Sequence, residues 1–338
     1  MDDSLRWFHA GDVELLSGET LHDAQLAVAT FGELNGARDN VVLFPTYYTG
    51  THRENARLVG EGRALDPTRY FIVVPNLFGN GVSSSPSNHP TQGGPDFPCV
   101  AEYDNVVCQK RMLAELFGVE RVRVAFGWSM GAQQALHFAA LYPDCLDALL
   151  AVCGSAKTSP HNRVFLEGVK AALLADPDFA GGRYTRPPAR GLTAFGRVYA
   201  GWAYSQRFFR EGLYRRLGYP SVEALLDDWG ADHRARDAND LLAMLDTWQR
   251  ADVSDNPLYG GDLRRALGSV KARSIVMPAS TDLYFPPEDS ALEVALMPDA
   301  ELRILETDYG HVGGGPGRVP EATAFIETAL RELLEGVR

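Results

Sequence analysis

The sequence predicts an α/β protein: a mostly parallel β-sheet with helices on both faces, interrupted by an inserted block of helices. Three observations point there. Short apolar, β-branched runs alternate with longer helical stretches as far as Cys153; that rhythm stops and resumes only near Ser274; and the 338-residue chain, with 45% hydrophobic and 22% charged residues, can bury a large core. Strands that alternate with helices call for crossover connections, and crossovers make parallel neighbours with both sheet faces covered.

Taken in order, Gln25–Phe31 and Val41–Phe44 read as strands, split by the turn-rich stretch from Gly32 to Asn40. The first of them is expected as an antiparallel edge. Tyr70–Val74 follows as a strand, Asn105–Phe117 as a helix, Val122–Phe126 as a strand, Gly131–Tyr142 as a helix and Ala148–Val152 as a strand. From Lys157 to Leu267 the chain is rich in Arg and aromatic residues with helical periodicity, as in Val222–Trp229, and holds no convincing strand. Residues 156–267 are therefore expected to form a helical lid, inserted into an α/β core of residues 1–155 and 268–338. Such a block covers the strand ends, where open sheets bind ligands. The core rhythm resumes with the strand Ser274–Ala279, a helix over Ser290–Leu296, the strand Glu301–Leu305 and a final helix over Glu321–Leu334.

Composition excludes several function classes. The 32 basic and 44 acidic side chains leave a net charge of −12, which argues against nucleic acid as a partner. No apolar run reaches the roughly 18 residues of a membrane helix, and Met1–Ser4 lacks a basic leader, so the expectation is a cytoplasmic protein without a membrane partner. Cys99, Cys108, Cys145 and Cys153 show no paired spacing and read as reduced and mostly buried, with neither zinc nor a structural disulfide indicated. No phosphate-binding loop, zinc-protease helix or dinucleotide fingerprint occurs, and no cofactor or metal is expected.

The sharpest local signal is Gly127-Trp128-Ser129-Met130-Gly131, a G-x-S-x-G directly after a strand and opening a helix. Spacing alone is weak evidence, because a serine capping a helix would look the same. Strand, elbow and helix in that order are more telling, since a nucleophile on so sharp a turn needs glycines on either side. A serine hydroxyl also needs a histidine base and a carboxylate to orient it. Only His233 and His311 lie far downstream of Ser129; His311 follows a strand in a glycine-rich loop, whereas His233 sits among charges and reads as a solvated helix face. Asp282 directly follows the strand ending near Ala279 and is the favoured carboxylate, with Asp308, Glu306 and a plain turn-capping role for Asp282 as competitors. Oxyanion donors are expected at the Met130 amide and in the loop Pro45–Gly50.

These features, together with Phe31-Gly32-Glu33-Leu34-Asn35, Asp104–Gln109, Leu116–Val119, Gln134-Ala135-Leu136, Asp176–Phe179 and Gly182-Arg183-Tyr184, resemble the homoserine O-acetyltransferase branch of the α/β-hydrolase fold over most of the chain. The resemblance implies a Ser129, Asp282, His311 triad, an acyl-enzyme, oxyanion donors at Tyr48 and Met130, and a homodimer formed through the lid. It also implies Arg197 and Tyr204 as substrate-binding residues on the lid, although Arg197 reads equally well as a surface arginine. Three departures bear on substrate. Val312 stands where those enzymes carry an aspartate for the substrate ammonium, Trp128 replaces a glycine beside the nucleophile, and Tyr48 replaces a smaller aliphatic residue. A valine cannot neutralise an ammonium. The favoured expectation is thus a hydrolase of a small ester or amide. The alternatives are an O-acetyltransferase taking its acyl group from acetyl-CoA to a hydroxyl other than homoserine's, and a non-catalytic binder on the same fold.

Overall fold

The computed structural model describes residues 5–336, so Met1–Ser4, where a leader was sought, lie outside the described residues. Eight strands, β1 (Arg6–Glu14), β2 (Thr20–Phe31), β3 (Val41–Leu43), β4 (Phe71–Pro75), β5 (Val122–Trp128), β6 (Leu146–Val152), β7 (Arg273–Met277) and β8 (Ala300–Leu302), build one sheet. Their lateral order is β1-β2-β4-β3-β5-β6-β7-β8. From β4 to β8 every pairing is parallel, while β2 runs antiparallel to both β1 and β4.

The strand over Gln25–Phe31 is consequently not the edge; β1 is. Its segment escapes a periodicity reading because the pairing register shifts on either side of Gly11, which adopts φ +67°. The inward residues Phe8, Ala10 and Val13 then fall out of strict alternation.

The core helices are α1 (His52–Asn55), α2 (Glu102–Phe117), α3 (Met130–Leu141), α10 (Pro287–Val294) and α11 (Pro320–Gly336). Alternate residues of β3 show how the sheet divides them. Val41 and Leu43 pack into a core with Val106 and Met112 of α2 and Leu136 and Phe138 of α3, whereas Val42 faces Ile326 and Leu330 of α11 across the other side.

Between β6 and β7 the regular elements are helices, α4 (Pro160–Leu174), α5 (Ala189–Ala203), α6 (Gln206–Arg210), α7 (Val222–Arg234), α8 (Ala238–Gln249) and α9 (Leu263–Gly268), with one isolated antiparallel bridge from Lys157 to Asp252. This block has its own apolar cluster, including Phe165, Leu192, Phe195, Leu241 and Trp248, which also meets Tyr284 and Phe285 of the core. Two carboxylates tie it down. Glu293 of α10 accepts the Ala156 amide at 2.9 Å and the Lys157 amide at 3.2 Å where the chain leaves the core, and burial pushes its pKa up to about 8. Asp240 of α8 accepts from the Ser87 amide and hydroxyl at 2.9 and 2.6 Å, and burial raises it to about 6.

All four cysteines carry free thiols. Cys108 and Cys153 are buried, and Cys99 and Cys145 are half-buried. Among the described residues no helix is long and apolar enough to cross a membrane.

Candidate active site

Ser129 occupies the turn between β5 and α3 with φ 58° and ψ −129°, a strained conformation for a residue with a side chain. Close approach explains the flanking glycines. A Cβ on Gly127 would come within 2.1 Å of the Gly131 carbonyl group, and one on Gly131 within 2.7 Å of the Pro45 carbonyl oxygen. The Ser129 carbonyl accepts from the Ala132 and Gln133 amides at 2.9 and 3.1 Å, but its hydroxyl makes no cap bond. That leaves Oγ to point elsewhere, against the helix-capping alternative.

It points to His311. Nε2 of His311 lies 2.9 Å from Ser129 Oγ, and Nδ1 lies 2.7 Å from Asp282 Oδ2, although 182 and 29 residues separate the partners along the chain. Asp282 Oδ1 accepts the amides of Tyr284 at 2.8 Å and Phe285 at 3.2 Å, so the carboxylate caps its own turn and holds the imidazole at once. The two loops are strapped together: the Thr281 hydroxyl donates to the Thr307 carbonyl at 2.7 Å and accepts the Gly310 amide at 3.1 Å. With Nδ1 facing a carboxylate, the proton belongs on Nδ1 and Nε2 is left to accept from the serine.

The competing carboxylates face away. Asp308 pairs with Arg207 at 3.3 Å, and Glu306 is exposed.

Aromatic rings enclose the imidazole. Trp128 stacks on it with centroids 4.8 Å apart, Tyr284 lies at 4.6 Å and Phe285 at 5.7 Å, while Tyr47 meets Trp128 edge-on at 4.5 Å. Cys153, also buried, brings its sulfur within 4.8 Å of ligand atoms of Asp282 and His311, and burial holds its thiol well above the usual range. Among the described residues this is the one grouping of three metal-ligand side chains, and both imidazole nitrogens in it are already engaged.

The loop carrying Tyr48 lies against the elbow, since Gln134 of α3 donates to the Thr46 carbonyl at 2.8 Å. Outside the helix ladder, neither the Tyr48 nor the Met130 amide donates to a backbone acceptor among the described residues. Met130 opens α3, where the first amides of a helix lack intrahelical partners. The Tyr48 ring is buried, donates to the Leu241 carbonyl at 3.2 Å and lies parallel to Tyr199 at 5.7 Å; burial drives the phenol well above its ordinary pKa.

Above the serine opens a cavity of about 380 Å³. Trp128, Val312 and Tyr204 line it together with Tyr47, Tyr199, Trp229 and His233; its rim carries Glu54, Arg57, Asp228, Asp232, Arg236 and Arg318. Sequence reading missed the rim and Tyr199. Phe195, Tyr199 and Ala203, four apart on α5 and all buried, carried the helical signal that would have found Tyr199.

Arg197 takes the surface place that was one of its two readings, and His233 departs from its expected exposure. Arg197 does not reach the cavity: it binds Glu223 at 2.6 Å and Asp227 at 3.0 Å, bridging α5 to α7. His233 is no solvated residue but only 3% exposed, packed on Phe195, Tyr199 and Trp229, with Nδ1 at 2.9 Å from the Trp229 carbonyl; burial lowers its pKa. The cause is Gly196, whose missing side chain lets α5 approach α7, since a Cβ there would lie 2.4 Å from the Trp229 carbonyl oxygen.

Comparison with known proteins places this geometry in context. Residues 40–314 match the family described as the alpha/beta hydrolase fold. The chain is 40% identical to the ethyl acetate hydrolase of Pseudomonas veronii, covering 90% of this chain and 88% of that one. A solved acetylester hydrolase from Corynebacterium glutamicum superposes with a TM-score of 0.94 at 38% identity, over 98% of this chain and 96% of that one. The homoserine O-acetyltransferase of Chloroherpeton thalassium is 32% identical over 87% of this chain and 80% of its own length.

Proposed function

The chain belongs to the alpha/beta hydrolase fold family, and on that premise we propose that it hydrolyses small carboxylic esters through an acyl-Ser129 intermediate. The hydrogen-bonded series from Asp282 through His311 to Ser129 is the observation that carries this reading. Ser129 Oγ attacks the ester carbonyl carbon as its proton passes to His311 Nε2, and Asp282 stabilises the imidazolium through Nδ1–H. The tetrahedral oxyanion takes hydrogen bonds from the amides of Met130 and Tyr48. Collapse expels the alcohol, which leaves with the proton from Nε2. A water molecule, deprotonated by the same nitrogen, then releases the acid and restores Ser129.

A small acyl group fits the aromatic enclosure of Tyr48, Tyr199 and Trp128, and it is the group named for the ethyl acetate and acetylester hydrolases. A second reading, O-acetyl transfer from acetyl-CoA to an alcohol, draws support from the 32% identical homoserine O-acetyltransferase. Residues 156–267 act in either reading as a lid, and we expect the protein in the cytoplasm, with a dimer formed through that lid; sedimentation tests the dimer.

A fluorophosphonate probe should label the wild type and not Ser129→Ala; a wild type that never labels would favour a non-catalytic binder. With acetyl-CoA as donor, release of free acetate alone supports the hydrolase. An acetyl-Ser129 that persists until an alcohol is added supports the transferase.

A further inference from the structure

The cavity rim carries three carboxylates and three guanidiniums, and the six groups are unequally engaged. Each acid already accepts at least one hydrogen bond. Glu54 accepts from the Thr51 amide and hydroxyl at 2.9 and 2.8 Å, Asp228 from the Tyr219 hydroxyl at 2.6 Å, and Asp232 from two nitrogens of Arg236 at 3.0 and 3.1 Å. Arg236 is spent as well, since it also donates to the Thr49 carbonyl at 2.7 Å. Among the described residues, the guanidiniums of Arg57 and Arg318 have neither an ion pair nor a hydrogen bond, and both line the cavity.

These two arginines come together through the fold. Gly317 packs against Arg57, a Cβ on it lying 3.5 Å from the Arg57 Cβ, so the segment bearing Arg318 runs beside the turn bearing Arg57. Arg318 is also tied to His311 by two successive turns, Gly315 N to Val312 O and Arg318 N to Gly315 O, both at 3.1 Å. It therefore stands on the histidine's side of the cavity, the side from which a leaving alcohol receives its proton.

We propose that Arg57 and Arg318 form a subsite for an anionic group, carboxylate or phosphate, carried on the alcohol portion of the substrate. The inference rests on the ester-hydrolase reading and specifies its substrate class. Two planar guanidiniums without partners supply charge-assisted donors in the fork geometry such oxyanions accept.

The test compares three acetyl esters of matched length: butyl acetate, 4-acetoxybutanoate, and an acetate whose alcohol ends in trimethylammonium. At low ionic strength kcat/KM for 4-acetoxybutanoate should exceed that for butyl acetate by about tenfold, as expected from two partly solvated ion pairs. The preference should shrink as salt is raised. In the double variant Arg57→Gln, Arg318→Gln the ratio of the two kcat/KM values should fall to near one, whatever the absolute rate on butyl acetate. Acetoxybutyl phosphate in place of the carboxylate separates the two kinds of anion. Equal rates on charged and uncharged esters, preference for the trimethylammonium ester, or a ratio unmoved in the double variant would each overturn the subsite. Failure to hydrolyse any of the esters would instead overturn the esterase reading beneath it.

Discussion

On the cavity floor, Ser129, Asp282 and His311 are 3–4% exposed, and the contacts among them are short, direct hydrogen bonds within a ring of aromatic side chains. On the rim, Arg57 and Arg318 are exposed, Arg236 pairs with Asp232, and Glu54 and Asp228 accept from Thr51 and from the Tyr219 hydroxyl. The same kinds of interaction have different strengths in the two places. Buried charge–dipole contacts operate at low effective dielectric, whereas exposed pairs are weakened by water and salt. The floor should therefore decide whether the reaction occurs, and the rim should only bias which ester arrives.

Substitutions can sharpen or break that contrast. The largest effect is expected for Asp282→Asn, which keeps the shape of the site but no longer favours the tautomer that leaves Nε2 free; kcat should fall by about four orders of magnitude. Stopped assays with a chromogenic acetate check this, and a loss below a hundredfold would break the assignment of Asp282. Next, Trp128→Leu removes the ring stacked on His311 and should lower kcat/KM by up to about tenfold, while Trp128→Phe retains most of the activity. Equal losses in the two variants would mean that bulk, not ring stacking, is what matters there. A smaller change, a few-fold in kcat/KM, is expected for Arg236→Ala, because that side chain ties the helical block to the Thr49 carbonyl in the loop that presents the Tyr48 amide. No change in kcat/KM would show that the loop holds its shape unaided.

The smallest effect on catalysis, but a clear one on stability, concerns Glu293. Its folded pKa of about 8 lies above its ordinary value of 4.5, with burial as the main cause. The folded chain thus holds a proton that the unfolded chain has lost, so the contribution of Glu293 to stability is fullest below pH 4.5 and declines as pH rises toward 8. Glu293→Gln should flatten that decline while keeping an acceptor for the Ala156 amide; melting temperatures measured at pH 5 and pH 8 give the comparison. A wild type that melts at the same temperature at both pH values would contradict the shift.

How much of this was legible from residues alone differs between the regions in the same way. The elbow serine, the histidine in its glycine-rich loop and the aspartate after β7 sit at strand ends, and strand ends follow from local alternation and turn chemistry. The rim and the helical block resisted because helix rotation decides them. Arg197 and Tyr204 lie on the same stretch of chain, yet one bridges to α7 and the other lines the cavity. His233, surrounded by charges in sequence, is buried because Gly196 admits α7 closely. The edge strand β1 was hidden for a related reason, its alternation broken by the bulge around Gly11.

By itself, the order of residues determined the alternating sheet, the inserted helices and the serine at the elbow, because those depend on patterns within a few residues of one another. Only the tertiary structure decided that Asp282, His311 and Ser129 share one proton path, that His233 is buried, and that Arg57 and Arg318 are left without partners. Each of these outcomes is set by distances between segments far apart along the chain, which close only when the sheet and the helical block pack.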